Sequence, residues 1–406
     1  MQKFEKHSPV VVTEVTTKHE LRQFMQYPNR LYADNPNYIP SFYGDDLSDW
    51  TPGKNPAFDY CEARCWLARR DGEIVGRIGA ILSHKANDKF GTHRMRFSQV
   101  DFVDDSEVSA ALFGTVERWA REKGCDQVHG PLGFTDMDRE GMLVEGFDRR
   151  SLFFTNYNAP YYLEHLTRLG YRKDVDWIEY RIAVPAPGST EAERLHKLSE
   201  FILKRKHLHV ATVHHKSEYG PFVRQVFELV NAAYAPLYGV VELSDEQIER
   251  YANKFIPLVD PDFVCFVVDE QDQLVAFGVT ALDPSVALKH SDGRLFPFGW
   301  AGVLNDLHHS DTLIMLLTAV RPDLQAEGIN AVMMDHVCQS CNRHGVQFAE
   351  TGPMLEKNDH ILAQWKRLDK EQHKRRRCFI KDLDHDVNAA NAAAAQTETP
   401  ETESAE

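Results

Sequence analysis

The sequence predicts two α/β domains of one design placed end to end, followed by an acidic low-complexity tail. Three observations carry this. The same order of strands and helices is run through twice, with matching segments two hundred positions apart. Between the two runs, Pro185-Ala186-Pro187-Gly188-Ser189-Thr190 has the chemistry of a linker. The chain has 406 residues, 43% hydrophobic and 26% charged, which suits ordinary globular domains of about 150–200 residues and excludes a disordered or fibrous chain. The expected division is therefore 1–185, 186–381 and a tail over 382–406.

In the first run the β-branched segment Val10–Val15 reads as a strand and the amphipathic stretch His19–Tyr32 as a helix. Cys65–Arg69 and Ile74–Leu82 flank Asp71-Gly72, a dipeptide that tolerates the positive φ of tight hairpin turns. A strand over Phe97–Val103 leads to a helix from about Glu107 to Lys123. Leu112, Val116 and Trp119 share one of its faces, and Gly124 marks its C-terminal stop. Asp126–His129 is a short strand, Asn158 precedes a short helix, and Trp177–Ile182 closes the run. The second run has a strand at Val210–Val213, a helix over Phe222–Tyr234, and a hairpin of Phe263–Val268 with Leu274–Leu282. Then come a strand at Thr312–Val320, a helix over Asn330–Arg343 ending at Gly345, a strand at Val346–Glu350, Asn358, and a closing strand at Arg377–Ile380. Ile74-Val75-Gly76 and Leu274-Val275-Ala276 occupy equal places, as do Asn158 and Asn358. Chance alternation within one large α/β domain is the alternative; agreement over successive elements argues for a repeat.

The segment richest in chemistry is Val320-Arg321-Pro322-Asp323-Leu324-Gln325-Ala326-Glu327-Gly328-Ile329-Asn330-Ala331. A strand runs through a proline turn and a glycine-containing loop into a helix. The first N–H groups of such a helix have no partner within it, and together with the helix dipole they favour an anion such as a pyrophosphate. Strand, V-x-P, Q-x-x-G-x-(G/A) and helix resembles the acyl-CoA pyrophosphate loop of the GNAT-type N-acetyltransferase superfamily. Asn158-Ala159-Pro160 through Leu169-Gly170-Tyr171 resembles the usual ending of the same fold, and the whole chain apart from the tail is similar to uncharacterised bacterial proteins built from two GNAT-like halves. The resemblance implies tandem domains, each a mixed, mostly antiparallel sheet flanked by helices. It implies acetyl-CoA or another acyl-CoA as co-substrate, held by Val320, Gln325, Ala326, Glu327, Gly328, Ile329, Asn330, Ala331 and Asn358 of the second half. It also implies acyl transfer to an amine, small-molecule or peptidic, with non-catalytic acyl-CoA binding or a scaffold role as the alternative.

Three departures bear on that expectation. In the first half the corresponding helix begins at Asp104-Asp105-Ser106-Glu107, with no glycine; its acids suit the helix dipole but repel a phosphate, and Asp105 or Ser106 reads as an N-cap. In the second half Asn330 stands where the resembled loop ends in Gly or Ala, and Trp365 where the superfamily often has an acidic tyrosine. Trp cannot donate a proton as an acid. For a base, Glu350 is the candidate, in the strand after the loop-bearing helix; the alternative is an ion-paired strand carboxylate. Asp306, His308 and His309 precede the long strand and offer a second choice.

Charge and cysteines bound the remaining classes. The net charge is −15, but seven acids and no Lys or Arg fall in 382–406, leaving −8 on the body, which argues against broad nucleic-acid binding. Residues 366–381 are locally basic, with eight Lys and Arg against two acids; a solvated turn is the plain reading, a contact to CoA phosphate or nucleic acid the other. Seven dispersed cysteines suit reduced thiols. Cys338-Gln339-Ser340-Cys341 lacks a second ligand pair at zinc-finger spacing and reads as helix packing, so no metal is expected. No apolar run spans a bilayer and the start lacks a secretory leader, so a cytoplasmic protein without membrane contact is the expectation.

Overall fold

The computed structural model describes residues 8–383, so the tail from residue 384 lies outside the described residues. β1 (Val11–Glu14) leads to α1 (Lys18–Leu31), where Thr17 and Glu20 form a reciprocal capping box. After α2 (Tyr43–Asp49), β2 (Cys61–Arg70) and β3 (Glu73–Ser83) meet at Asp71-Gly72, with φ of 52° and 84°. α3 (His84–Phe90) and β4 (Arg94–Phe102) precede α4 (Ser106–Glu122), whose N-cap Asp105 accepts from the N–H groups of Glu107 and Val108. β5 (Gln127–Gly130), β6 (Met142–Glu145), α5 (Tyr162–Arg168) and β7 (Arg172–Ala183) complete the first half.

The second half opens with α6 (Thr190–Lys206), which the linker-like composition had concealed, and β8 (His209–Val210). α7 (Gly220–Tyr234), α8 (Asp245–Phe255), β9 (Val264–Val268) and β10 (Leu274–Leu282) follow. α9 (Ser285–His290) and α10 (Gly299–His309) lead to β11 (Thr312–Val320) and α11 (Asn330–His344). β12 (Phe348–Thr351), β13 (Met354–Leu355), α12 (Asp359–Gln364) and β14 (Lys370–Asp382) end the fold.

All strands join one sheet in the order β1-β2-β3-β4-β5-β14-β7-β12-β11-β10-β9-β8, with β6 on β14 and β13 on β7. Among the described residues only β4–β5 and β11–β12 pair in parallel; every other pairing is antiparallel. The closing strands are exchanged. β14 of the second half pairs with β5 of the first, and β7 of the first half pairs with β12 of the second. Phe97, Phe102, Phe113, Val116 and Trp119 pack the first half between sheet and α4, while Phe227, Val230, Phe266 and Phe277 do so under α7.

The exchange accounts for the basic run. Residues 370–382 are a strand, not a solvated turn, and most of their cations are matched by acids, chiefly of the first half. Arg376 is wholly buried, bonding Glu179, the Asn156 carbonyl and Thr155 Oγ1. Buried Lys374 lies 3.5 Å from Glu179 and 3.3 Å from Glu350. Arg375 and Arg377 share Asp176, and Lys381 reaches Glu117 at 2.7 Å. Charges spent this way are not available to a nucleic acid.

Candidate functional site

The second half's long strand carries the site. β11 pairs with β12 only from Thr312–Phe348 to Met315–Thr351; beyond that β12 ends while β11 continues to Val320. The strands thus part, and the half-buried Leu316, Leu317 and Thr318 have no counterpart on β12. On its other side β11 carries a bulge: Val279 faces Leu317 and Thr280 faces Met315, so Leu316 has no counterpart on β10.

Beyond Val320, Pro322–Leu324 makes one 3₁₀ turn, and Ala326 and Gly328 adopt φ of 64° and 85°, curling the chain into α11. Gly328 meets two demands at once. The left-handed backbone suits glycine, and a Cβ there would stand 3.0 Å from Ile202 Cδ1 on α6. Gln325 Nε2 donates to the Val320 carbonyl at 3.2 Å and closes the loop. No side chain caps α11, whereas the equivalent α4 is capped by Asp105, which Arg70 in turn holds. Of these two equivalent helix starts, that of α11 is the one left without a side-chain cap.

A cleft of about 1160 Å³ opens before this helix, between the two halves. Val320, Gln325, Ala326, Gly328, Ile329, Asn330, Ala331 and Asn358 all line it. Arg194, Lys357, Lys366 and Arg367 bring cations to its walls. Glu327 is not among the lining residues; its carboxylate is held by Lys206 at 2.6 Å, on the α6 side. Asn358 caps α12, accepting from the Ile361 N–H at 3.3 Å. From the cleft an apolar recess of about 170 Å³ runs between β11, β12 and α11, lined by Leu317, Val337, Ala349 and Trp365. A smaller one of about 80 Å³ lies under α7 and α8, against Leu316 and Leu317.

Glu350 does not fit the role of base. Its strand neighbours Ala349 and Thr351 line the recess, so strand alternation turns Glu350 to the opposite face. There it pairs with Lys374, 3.3 Å, and Arg181, 3.9 Å. This is the ion-paired alternative. His308 and His309 are exposed and bond carbonyls one turn back on α10, and Asp306 accepts from the Ala287 N–H. None of the three lines a cavity described above. Trp365 is buried, its indole N–H donating to Met354 Sδ at 3.2 Å. Cys338 and Cys341 are buried in α11, and burial pushes their thiols up to about 11 and about 12.

The site also holds groups that no motif marked. Tyr234, at the end of α7, lines both cleft and recess, and its hydroxyl donates to the Thr318 carbonyl of β11 at 2.7 Å. Asp136 and Glu140, from the first half's β5–β6 loop, line the same cleft. Burial holds Asp136 up at about 6, with the charge of Asp138 adding to it, and holds Glu140 well above the usual carboxylate range. The signal available in sequence was the alternation of acids in Asp136-Met137-Asp138-Arg139-Glu140 between glycines, which a polar turn would equally explain. Elsewhere among the described residues, ligand atoms of His129, Asp174 and Cys378 converge within 4.8 Å. The Tyr238 hydroxyl already bonds all three, at 3.0, 2.5 and 3.5 Å, and burial keeps His129 neutral with a pKa of about 4.

No family model matches the chain. It is 27% identical over 379 residues to protein YghO of Escherichia coli (strain K12), covering 92% of this chain and 95% of that one. It is 28% identical over 299 residues to the bacterial ceramide synthase of Caulobacter vibrioides, covering 72% and 75%. Among solved structures it superposes on a tandem GNAT protein from the clavulanic acid biosynthesis pathway with a TM-score of 0.53 and 13% identity, covering 93% of this chain and 99% of that one. No helix among the described residues is long and apolar enough to cross a membrane. With its two half-sheets, its parting central strands and its bulged long strand, the chain has the tandem GNAT fold.

Proposed function

We propose that the protein transfers an acyl group from a CoA thioester to an amine, with the CoA held in the second half. The observation that carries this is the uncapped start of α11 behind the Gln325–Gly328 loop, opening on a cleft whose deeper end is apolar. Ala331 and Val332 already donate to the Gly328 and Ile329 carbonyls, both at 2.9 Å; in this reading the remaining N–H groups of the loop and helix start hold the pyrophosphate, and Arg194, Lys366 and Arg367 neutralise the remaining phosphate charge. The thioester arm lies in the gap between β11 and β12, and a backbone N–H freed at the Leu316 bulge polarises the carbonyl. Tyr234 is the hydroxyl closest in role to the absent tyrosine acid: it lines the cleft beside β11 and can pass a proton to the leaving thiolate.

The apolar recess favours a fatty acyl group over acetyl. About 0.8 kcal/mol per buried methylene gives each added carbon about a fourfold gain while room lasts. The Caulobacter relative is named as a ceramide synthase, and a ceramide is the amide of a fatty acid with a long-chain amino alcohol. We therefore take the acceptor to be a long-chain amine. Calorimetric titration with acetyl-CoA and palmitoyl-CoA, then mass spectrometry of the protein incubated with palmitoyl-CoA and sphinganine, tests this. Tighter palmitoyl-CoA binding with formation of the N-acyl product and free CoA is expected. No heat with either thioester refutes it. Binding without product on any long-chain amine favours the non-catalytic alternative, which the burial of Trp365 at the tyrosine position supports.

A further inference from the structure

The first half keeps its own helix start capped, yet sends one loop into the cleft of the second. That loop is anchored on every side. Arg96 Nη1 donates to the Gly133 and Phe134 carbonyls at 2.8 and 3.2 Å, Arg139 pairs with Asp46 at 2.8 Å, and Thr135 Oγ1 lies 2.6 Å from the Tyr251 hydroxyl. Met137 packs with Leu316 and Leu317, which places the loop over the bulge of β11. Two acids of the loop show opposite fates. Asp138 is structural: its carboxylate accepts from the N–H groups of Phe134 and Thr135, at 2.8 and 3.2 Å, and from Tyr251 at 3.3 Å. Asp136 is not. Its Oδ1 is sealed from solvent with no hydrogen-bond partner, while the residue keeps surface on the cleft it lines. A buried acceptor without a partner costs about 1–3 kcal/mol, so a loop built only for stability gains nothing by placing a carboxylate there.

We propose that Asp136, with Glu140 lining the same cleft, is the base that takes the proton from the acceptor ammonium, so that the first half supplies the catalytic group for a CoA site in the second. The proposal rests on the acyl-transfer reading above. The acceptor enters as an ammonium ion, drawn by the carboxylate. One proton passes from nitrogen to Asp136, the freed lone pair forms the C–N bond at the thioester carbonyl, and the C–S bond breaks. The second nitrogen proton leaves with the thiolate as free CoA thiol, and Asp136 returns its proton to solvent. The groups acting on Asp136 are Asp138, which opposes its ionisation, and Arg96 and Lys89, which favour it; the Asp136 charge in turn raises Glu140. Tyr234, across the cleft on α7, feels the Asp136 charge. Burial holds Glu140 up as well, and it is Asp136 whose buried Oδ1 lacks a partner, which makes Asp136 the member of the pair placed to take the proton.

Asp136→Asn and Asp136→Glu test this in the full-length protein, with palmitoyl-CoA and sphinganine as probes. Asp136→Asn is expected to cut kcat at least a hundredfold, to leave palmitoyl-CoA affinity within twofold, and to erase the acidic limb of the kcat/KM profile near pH 6. Asp136→Glu is expected to restore at least a tenth of the rate with that limb displaced. Sphinganine affinity, read by calorimetry with or without turnover, is expected to fall at least tenfold in Asp136→Asn. Turnover within threefold of wild type with an unchanged pH profile overturns the proposal while the acyl-transfer reading stands, and so does unchanged sphinganine affinity. Loss of palmitoyl-CoA binding by the wild-type protein instead removes the reading beneath it. Circular dichroism of each variant separates these results from misfolding.

Discussion

A buried carboxylate kept for chemistry leaves a mark on stability, and Asp136→Asn measures it. In the unfolded chain an aspartate titrates near 3.8, while in the cleft burial and the Asp138 charge lift it to about 6. At 1.36 kcal/mol per tenfold change in proton affinity, ionising Asp136 in the fold costs about 3 kcal/mol more than in the unfolded chain. The sign follows from the direction. A raised carboxyl favours the fold at a pH below 3.8, and that contribution is lost as pH rises to about 6. Asparagine keeps the shape and carries no charge to desolvate. Asp136→Asn is therefore expected to be more stable than wild type by about 3 kcal/mol at pH 8, with the gain shrinking to nothing below pH 4. Urea denaturation followed by circular dichroism at unit steps from pH 4 to 8 gives the difference directly. A variant equally stable or less stable at pH 8 would refute the argument, since it would mean the carboxylate has a partner and belongs to the scaffold. A gain with no pH dependence would equally refute it.

Other variants probe the loop, the recess and the seam. Gly328→Ala forces a left-handed alanine, at about 1–2 kcal/mol, and sets its Cβ against Ile202; acyl-CoA affinity should fall about tenfold by calorimetry while the global fold persists. Val337→Phe fills the recess and should weaken palmitoyl-CoA at least tenfold, with acetyl-CoA within twofold, as measured by competition titration. Glu179→Ala removes the carboxylate facing wholly buried Arg376 and should cost about 3–5 kcal/mol in chemical denaturation, whereas Glu179→Met with Arg376→Met should recover most of that loss. Glu179 and Asp176 are held below the ordinary carboxylate range, so the seam stabilises the fold above pH 4.5; wild-type stability should drop as pH falls below that, in a denaturation series.

What was legible in the sequence was what local chemistry decides. β10 and β11 span Leu274–Leu282 and Thr312–Val320, as periodicity placed them, and the hairpin at Asp71-Gly72 and the cap at Asp105 follow from those residues alone. Non-local pairing was not legible. Nothing near Arg376 announces that its partner is Glu179, far back in the other half, so a run of cations looks solvated until the strand exchange sets acids beside it. α6 was hidden by its proline-rich approach, although Ser189 caps it in plain sight and its Ile202 explains why Gly328 is glycine. The base followed the same pattern. Motif spacing pointed to Glu350, because it sits in the half that bears the loop, while the cleft acid with an unpartnered carboxylate oxygen, Asp136, arrives from the other half.

The two halves thus divide the work by what each has lost. In the first, the bulge-bearing strand β4 is closed over: Arg77 bonds Asp101 at 2.7 Å and Gln99 at 3.0 Å, with Gln99 held at a φ of 46°. The helix start that would meet a phosphate is filled by Asp105 and Arg70. A half with no anion to bind is free to carry acids, and the acids at 136 and 140 stand where a cationic amine must approach a thioester held by the other half. Had both halves kept an anion site, each would need cations near its cleft, and a carboxylate pair between them would be neutralised. The strand exchange makes the arrangement rigid, because β14 and β7 tie the acid-bearing loop and the CoA-facing strand into one sheet. The acid-bearing loop of the first half is in this view the reason the second half can use an unpaired carboxylate as a base.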